Sequence, residues 1–209
     1  MITSLDNLAA GIAWWCNHGW GNDFLNAEYS AIYEARAAGV TKEWWEATVN
    51  RLGQWRAYRG RTQPNTKADI HSRGSERLDL LGSEYRKLIQ CCEGEPSIAD
   101  LSWERVAPFF AVAWQIKQSS VFASKLCHFT FPKLFIVMDN KASSVFEYEF
   151  YWRGMKDEWN RFPAKVEAKK RLAEAITPDE PHLLYPFETK ILELSHIGYE
   201  HPLSSSRAF

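Results

Sequence analysis

Apolar residues recur three and four positions apart through most of this chain, and strand-like alternation is scarce. The clearest run is Leu78, Leu81, Tyr85, Leu88 and Cys92, the spacing of one buried helical face. Another follows Ser102 through Val106, Phe110, Ala113 and Ile116. The periodicity predicts an all-α fold, a two-lobed helical bundle. At 209 residues the chain suits one compact helical unit with room for two lobes around a shared core.

Cap and stop residues divide the pattern. Thr3 or Ser4 caps a first helix carrying Leu8, Ile12 and Trp15, which stops at Asn17-His18-Gly19. A second helix holds Phe24, Tyr29 and Tyr33 and ends at Gly39. Thr41 caps a third with Trp44, Trp45, Val49, Leu52 and Trp55. Tyr58 to Gly74 loses apolar residues and gains Gly60 and Pro64, which predicts a loop. Helices follow from Ser75 to the Gly94-Glu95-Pro96 turn and from Ser102 to Ile116. A polar hinge, Gln118 to Ser120, leads to a helix with Phe122, Leu126 and Phe129, closed by Pro132. Leu134 to Met138 is too short and too apolar for a surface helix and reads as a buried extended connector delivering Asp139. The spacing then predicts helices over Asn140–Phe150, Pro163–Ile176 and Pro186–His196, and a frayed tail at Ser204 to Ser206.

Several classes are disfavoured. Cys16, Cys91, Cys92 and Cys127 have no zinc-like spacing, so neither a metal site nor a disulfide framework is expected. No secretory leader or membrane-length apolar run is present, and the chain reads as a cytoplasmic monomer without a cofactor. Net charge is −1, so any affinity for nucleic acid must be local. Such a patch exists: Arg51, Arg56, Arg59, Arg61, Lys67, Arg73 and Arg77 face only Asp69 and Glu76 in the same stretch. Arginines there can grip phosphates, with Trp55 and Tyr58 placed to stack on a base. A solvated charged loop is the plainer alternative.

The second chemical candidate is Gln118 to Ser144, which gives helix, apolar connector, then Asp139 before a new helix. A carboxylate beside a helix N-terminus stays ionised, and facing a cleft it can stabilise an oxocarbenium-like sugar and orient water. A simple N-cap accounts for the same aspartate.

Val121 to Ala142 resembles the second hairpin helix and following segment of the helix-hairpin-helix DNA glycosylase superfamily, in particular bacterial branches similar to 8-oxoguanine DNA glycosylase. The resemblance rests on Ala123-Ser124, the helix Lys125 to Phe129, Pro132, the apolar connector and Asp139. It implies an all-α fold with a helix-hairpin-helix-like element, Trp103 to Lys117 as its first arm, a core near residues 75–152, and Asp139 as the catalytic carboxylate. The family's Gly-x-Gly turn is replaced by Gln118-Ser119-Ser120, which leaves phosphate contact to Ser119 and Ser120. Lys125 falls a few residues past the catalytic lysine of the lyase members. The implied enzyme is therefore a monofunctional hydrolase, with Lys125 at a phosphate or carboxylate and Schiff-base chemistry as the alternative.

Base chemistry on duplex DNA requires a flipped nucleotide, stacked in a pocket. Trp15 and Trp152 are the candidate stacking residues, and Glu147 or Gln118 the candidate partner for the base edge. His128, among Leu126, Cys127 and Phe129, reads as a buried histidine bonded to backbone. Housekeeping repair and defence against modified phage DNA both fit. The rival readings are a non-catalytic DNA-binding helical module and a protein-interaction domain using exposed tryptophans.

Overall fold

The structure is a computed structural model that describes residues 1–18, 24–58, 65–138, 144–176 and 185–202, with backbone alone at 24–27. It is all-helical. Among the described residues there are ten helices and no strand: α1 Leu5–Asn17, α2 Phe24–Ala37, α3 Lys42–Gln54, α4 Lys67–Ser75, α5 Leu78–Gln90, α6 Trp103–Lys117, α7 Ser120–Thr130, α8 Val145–Arg161, α9 Lys165–Ile176 and α10 Phe187–Glu200. Several helix starts carry side-chain caps. Ser4 accepts the Asn7 N–H and Thr41 the Trp44 N–H, each satisfying a donor that the first turn leaves open.

Two compact units divide the chain: Met1–Ser30 with Gly154–Phe209, and Ala31–Arg153. The division falls inside α2 and inside α8. The expected core near 75–152 is thus part of a unit that begins much earlier, at Ala31.

The unit built from the two chain ends rests on α1 against α10. A Cβ on Gly11 would lie 1.9 Å from the Leu194 carbonyl oxygen, and one on Gly198 would lie 1.9 Å from that of Asn7. Backbone meets backbone, which only glycine permits. Leu8, Trp15, Trp159, Leu172 and Ile191 fill its interior. The expected end of the last helix at His196 is corrected: α10 continues through Gly198, which is a crossing point and not a stop.

The Ala31–Arg153 unit packs α6 and α7 at its centre, with α3, α4 and α5 around them. Its core is aromatic: Phe109, Phe110, Phe122, Phe131, Phe135, Tyr148 and Trp152 are fully buried, and Phe110 stacks on Tyr148 at 4.1 Å between ring centres. Arg36 is buried here, bridging Glu95 and the Thr130 carbonyl and lying over the Tyr33 ring.

The loop expected from Tyr58 to Gly74 is corrected over its described second half, where α4 stands. Thr66 and Asp69 form a reciprocal capping box, the Thr66 hydroxyl taking the Asp69 N–H and the Asp69 carboxylate taking the Thr66 N–H at 2.9 Å. Ile70 is buried, and Gly74 leaves room for Trp45, whose ring a Cβ would meet at 1.8 Å. The helix expected over Asn140–Phe150 begins, among the described residues, at Val145 and runs on to Arg161. No described helix is long and apolar enough to cross a membrane.

Candidate nucleic-acid interface

The α6–α7 junction takes two residues. Gln118 adopts the left-handed conformation, φ 52° and ψ 48°, and donates its N–H to the Trp114 carbonyl at 2.5 Å. Ser119 is extended and caps α7. A left-handed residue with a Cβ costs about 1–2 kcal/mol, so the turn forms without the glycine that would suit it. Ser120, expected at a phosphate, is fully buried, and its hydroxyl donates to the Ser144 carbonyl. The Ser119 hydroxyl serves the Phe122 N–H at 3.4 Å.

One turn along α7, the Ser124 hydroxyl accepts the Met138 N–H at 3.1 Å. Ser120 and Ser124 share a helix face, so Met138 and Ser144 are both fastened to the opening turns of α7. Asp139 follows the first of these anchors in sequence; it lies outside the described residues, as do Arg59 and Arg61.

The connector into this anchor is buried and irregular, so its carbonyls need partners other than a helix or sheet. Aromatic side chains supply them in order. The Trp152 indole N–H donates to Leu134 O at 2.9 Å, and His128 Nδ1 lies 2.8 Å from Phe135 O. The Tyr148 hydroxyl donates to Ile136 O at 2.8 Å and that of Tyr151 to Val137 O at 3.3 Å. His128 is therefore the backbone-bonded histidine expected of it, with its proton on Nδ1. Trp152 is a core residue, fully buried with its N–H engaged; Trp15 is 3 % exposed and belongs to the other unit. Neither presents a ring face to solvent. Glu147 is exposed at the start of α8, where it and Ser144 form a capping box: the Ser144 N–H donates to the Glu147 carboxylate at 3.0 Å, and the Glu147 N–H to the Ser144 hydroxyl at 3.2 Å.

Cations gather at the C-terminal end of α3. Ala57 N–H bonds Leu52 O, and Arg56 N–H bonds Gly53 O, closing the helix in a Schellman turn. Arg56 occupies the left-handed position that glycine usually fills, at φ 53°. The buried Lys125 ammonium donates to Trp55 O at 3.1 Å and lies 5.0 Å from the Trp55 ring centre. The Lys117 ammonium donates to Ala57 O at 3.1 Å. Arg73 Nε donates to Ile116 O at 2.5 Å. Burial pushes the Lys117 ammonium below the usual lysine range, and the charges of Lys125 and Arg73 add to the shift. Arg56 and Lys67 are exposed, Lys67 at the start of α4.

The structure therefore brings Lys125, Arg73 and Arg56 into one neighbourhood around the end of α3. Lys117, which sequence reasoning passed over as the last residue of a helix, belongs with them; its place beside the hairpin turn was the available signal. Among the described residues no three His, Cys, Asp or Glu side chains converge as metal ligands. All four cysteines are free. No family model matches this chain, and neither the curated proteins nor the solved structures compared with it include a match.

Proposed function

We propose that the chain is a DNA glycosylase that hydrolyses the N-glycosidic bond of a damaged or modified base flipped out of double-stranded DNA. The observation that carries this reading is the double fastening of Met138 and Ser144 to α7. It ties the sequence immediately before Asp139 to the helix that carries Lys125, whose ammonium reaches the end of α3, where the exposed Arg56 is suited to a DNA phosphate. In the reaction the Asp139 carboxylate stabilises the oxocarbenium-like sugar and accepts a proton from the attacking water. The water oxygen bonds to C1′, and the base departs with the bonding electrons and takes up a proton. Lys125, with its ammonium bonded to the Trp55 carbonyl, supplies positive charge and no covalent step. Four free cysteines suit a reducing compartment, and a cytoplasmic monomer working without a cofactor belongs to the same proposal. Its substrates lie in repair or in defence against modified phage DNA.

Incubation with a panel of damaged oligonucleotides and modified phage DNA, followed by abasic-site detection, tests this. Asp139→Asn is expected to retain DNA affinity while base release falls at least a hundredfold, the order of an electrostatic catalytic group. Borohydride trapping on Lys125 would overturn the water mechanism. The burial of Trp15 and Trp152 favours a second reading, a non-catalytic DNA-binding helical module; wild-type chain that binds duplex and leaves no abasic product on any substrate would establish that alternative.

A further inference from the structure

Arg56 sits in a conformation that resists side chains, at the helix-ending position where glycine is the usual residue. Its own side chain is exposed and makes no ion pair or hydrogen bond to another described residue. Nothing within the described fold rewards an arginine there. Yet the peptide groups around it are held with unusual care. The carbonyl before it, Trp55 O, accepts Lys125, and the carbonyl after it, Ala57 O, accepts Lys117. Two ammonium groups from the two helices of the α6–α7 pair thus grip the chain on either side of one strained residue. Backbone strain maintained by its surroundings is a mark of a functional position.

We propose that Lys117 and Lys125 are positioning residues whose ammonium–carbonyl bonds hold the Arg56 turn, so that the Arg56 guanidinium is presented outward to a phosphate of the DNA backbone. This rests on the nucleic-acid reading above and gives its cations separate tasks. Arg56 touches the ligand; Lys117 and Lys125 shape the turn from inside. The positive charge left around the turn also favours an anionic partner.

The test is binding of a fluorescent duplex oligonucleotide across a salt series, with base release measured in parallel. Arg56→Gly removes the charge and suits the left-handed backbone, so its melting temperature is expected to match or exceed wild type. Its salt slope is expected to fall by about one, the loss of a single phosphate contact. Lys117→Met is expected to lower the slope in the wild-type background and to have no further effect in the Arg56→Gly background; Lys117→Arg, which keeps a donor, is expected to rescue it. An unchanged slope for Arg56→Gly overturns the inference. An equal drop from Lys117→Met in both backgrounds overturns the positioning role, because Lys117 would then touch DNA itself. Wild-type chain that does not bind duplex overturns this inference and the proposed function together. The expected variant pattern without base release supports the inference and sinks the glycosylase reading alone.

Discussion

Four carbonyls in succession, from Leu134 to Val137, depend on single aromatic donors, and each can be deprived of its partner by deleting one group. Tyr148→Phe removes one oxygen and leaves Ile136 O buried without a bond. The expected loss is about 1–3 kcal/mol, read as a lower urea midpoint with an unchanged denaturant slope. Tyr151→Phe is expected to cost less, because its bond is longer and its side chain reaches solvent. These donors also explain where sequence reading misjudged the aromatics. A wealth of indole and phenol suggests stacking surfaces, and Trp152 was the natural choice for a base pocket. A buried segment with no helix or strand of its own recruits the same side chains as hydrogen-bond donors, and residue type does not distinguish the two uses. At Lys117 the pH response has a definite sign. Burial and neighbouring charge lower its pKa, so the folded chain releases this proton before the unfolded chain does. Stability is expected to rise as pH climbs from that lowered value towards the ordinary 10.5. Lys117→Met should lose that rise in urea midpoints measured across the alkaline range.

Helix ends decide how much of the architecture can be read in advance. Ser4, Thr41 and Ser102 announced α1, α3 and α6 because a hydroxyl stands immediately before an apolar stripe. The α4 helix escaped because it has almost no stripe: Ile70 and Gly74 are its buried residues, and its start depends on Thr66 and Asp69, three positions apart. That spacing was legible as a capping box, but the surrounding polar composition argued the other way. Thr66→Ala is expected to lose about 1 kcal/mol, with faster amide exchange confined to the first turn of α4. The two-residue α6–α7 turn was the reverse case. The expected hinge, Gln118 to Ser120, is one residue too long, since Ser120 opens α7, and the absence of glycine hides how tight the turn is, because Gln118 enters the left-handed region unaided. Gln118→Gly is expected to stabilise the chain by up to about 1 kcal/mol, the relieved strain less the added freedom of the unfolded chain. A thermal melt measures it. Of the candidate site, the serine-rich entry to α7 and the basic character near Arg56 and Arg73 could be read. The inward use of Ser120 and the grouping of Lys117 with Lys125 could not, because both depend on contacts between segments distant in sequence.

At the scale of the whole molecule, α1 and α10 join the two ends of the chain through the backbone contact at Gly11 and Gly198. A methyl group at Gly11 has nowhere to go, because its nearest neighbours are backbone atoms of Leu194. Gly11→Ala is expected to force the pair apart and destabilise by about 1–3 kcal/mol or more, seen as earlier protease cleavage within α1 and α10. The partners of this contact are separated in sequence by the entire Ala31–Arg153 unit. A ribosome therefore releases α1 well before α10 exists, and the α1 surface that meets α10 waits uncovered until then. The intervening unit can condense on its own residues during that interval. The terminal unit cannot, so its α1 stays open to interception by chaperones until α10 has been made.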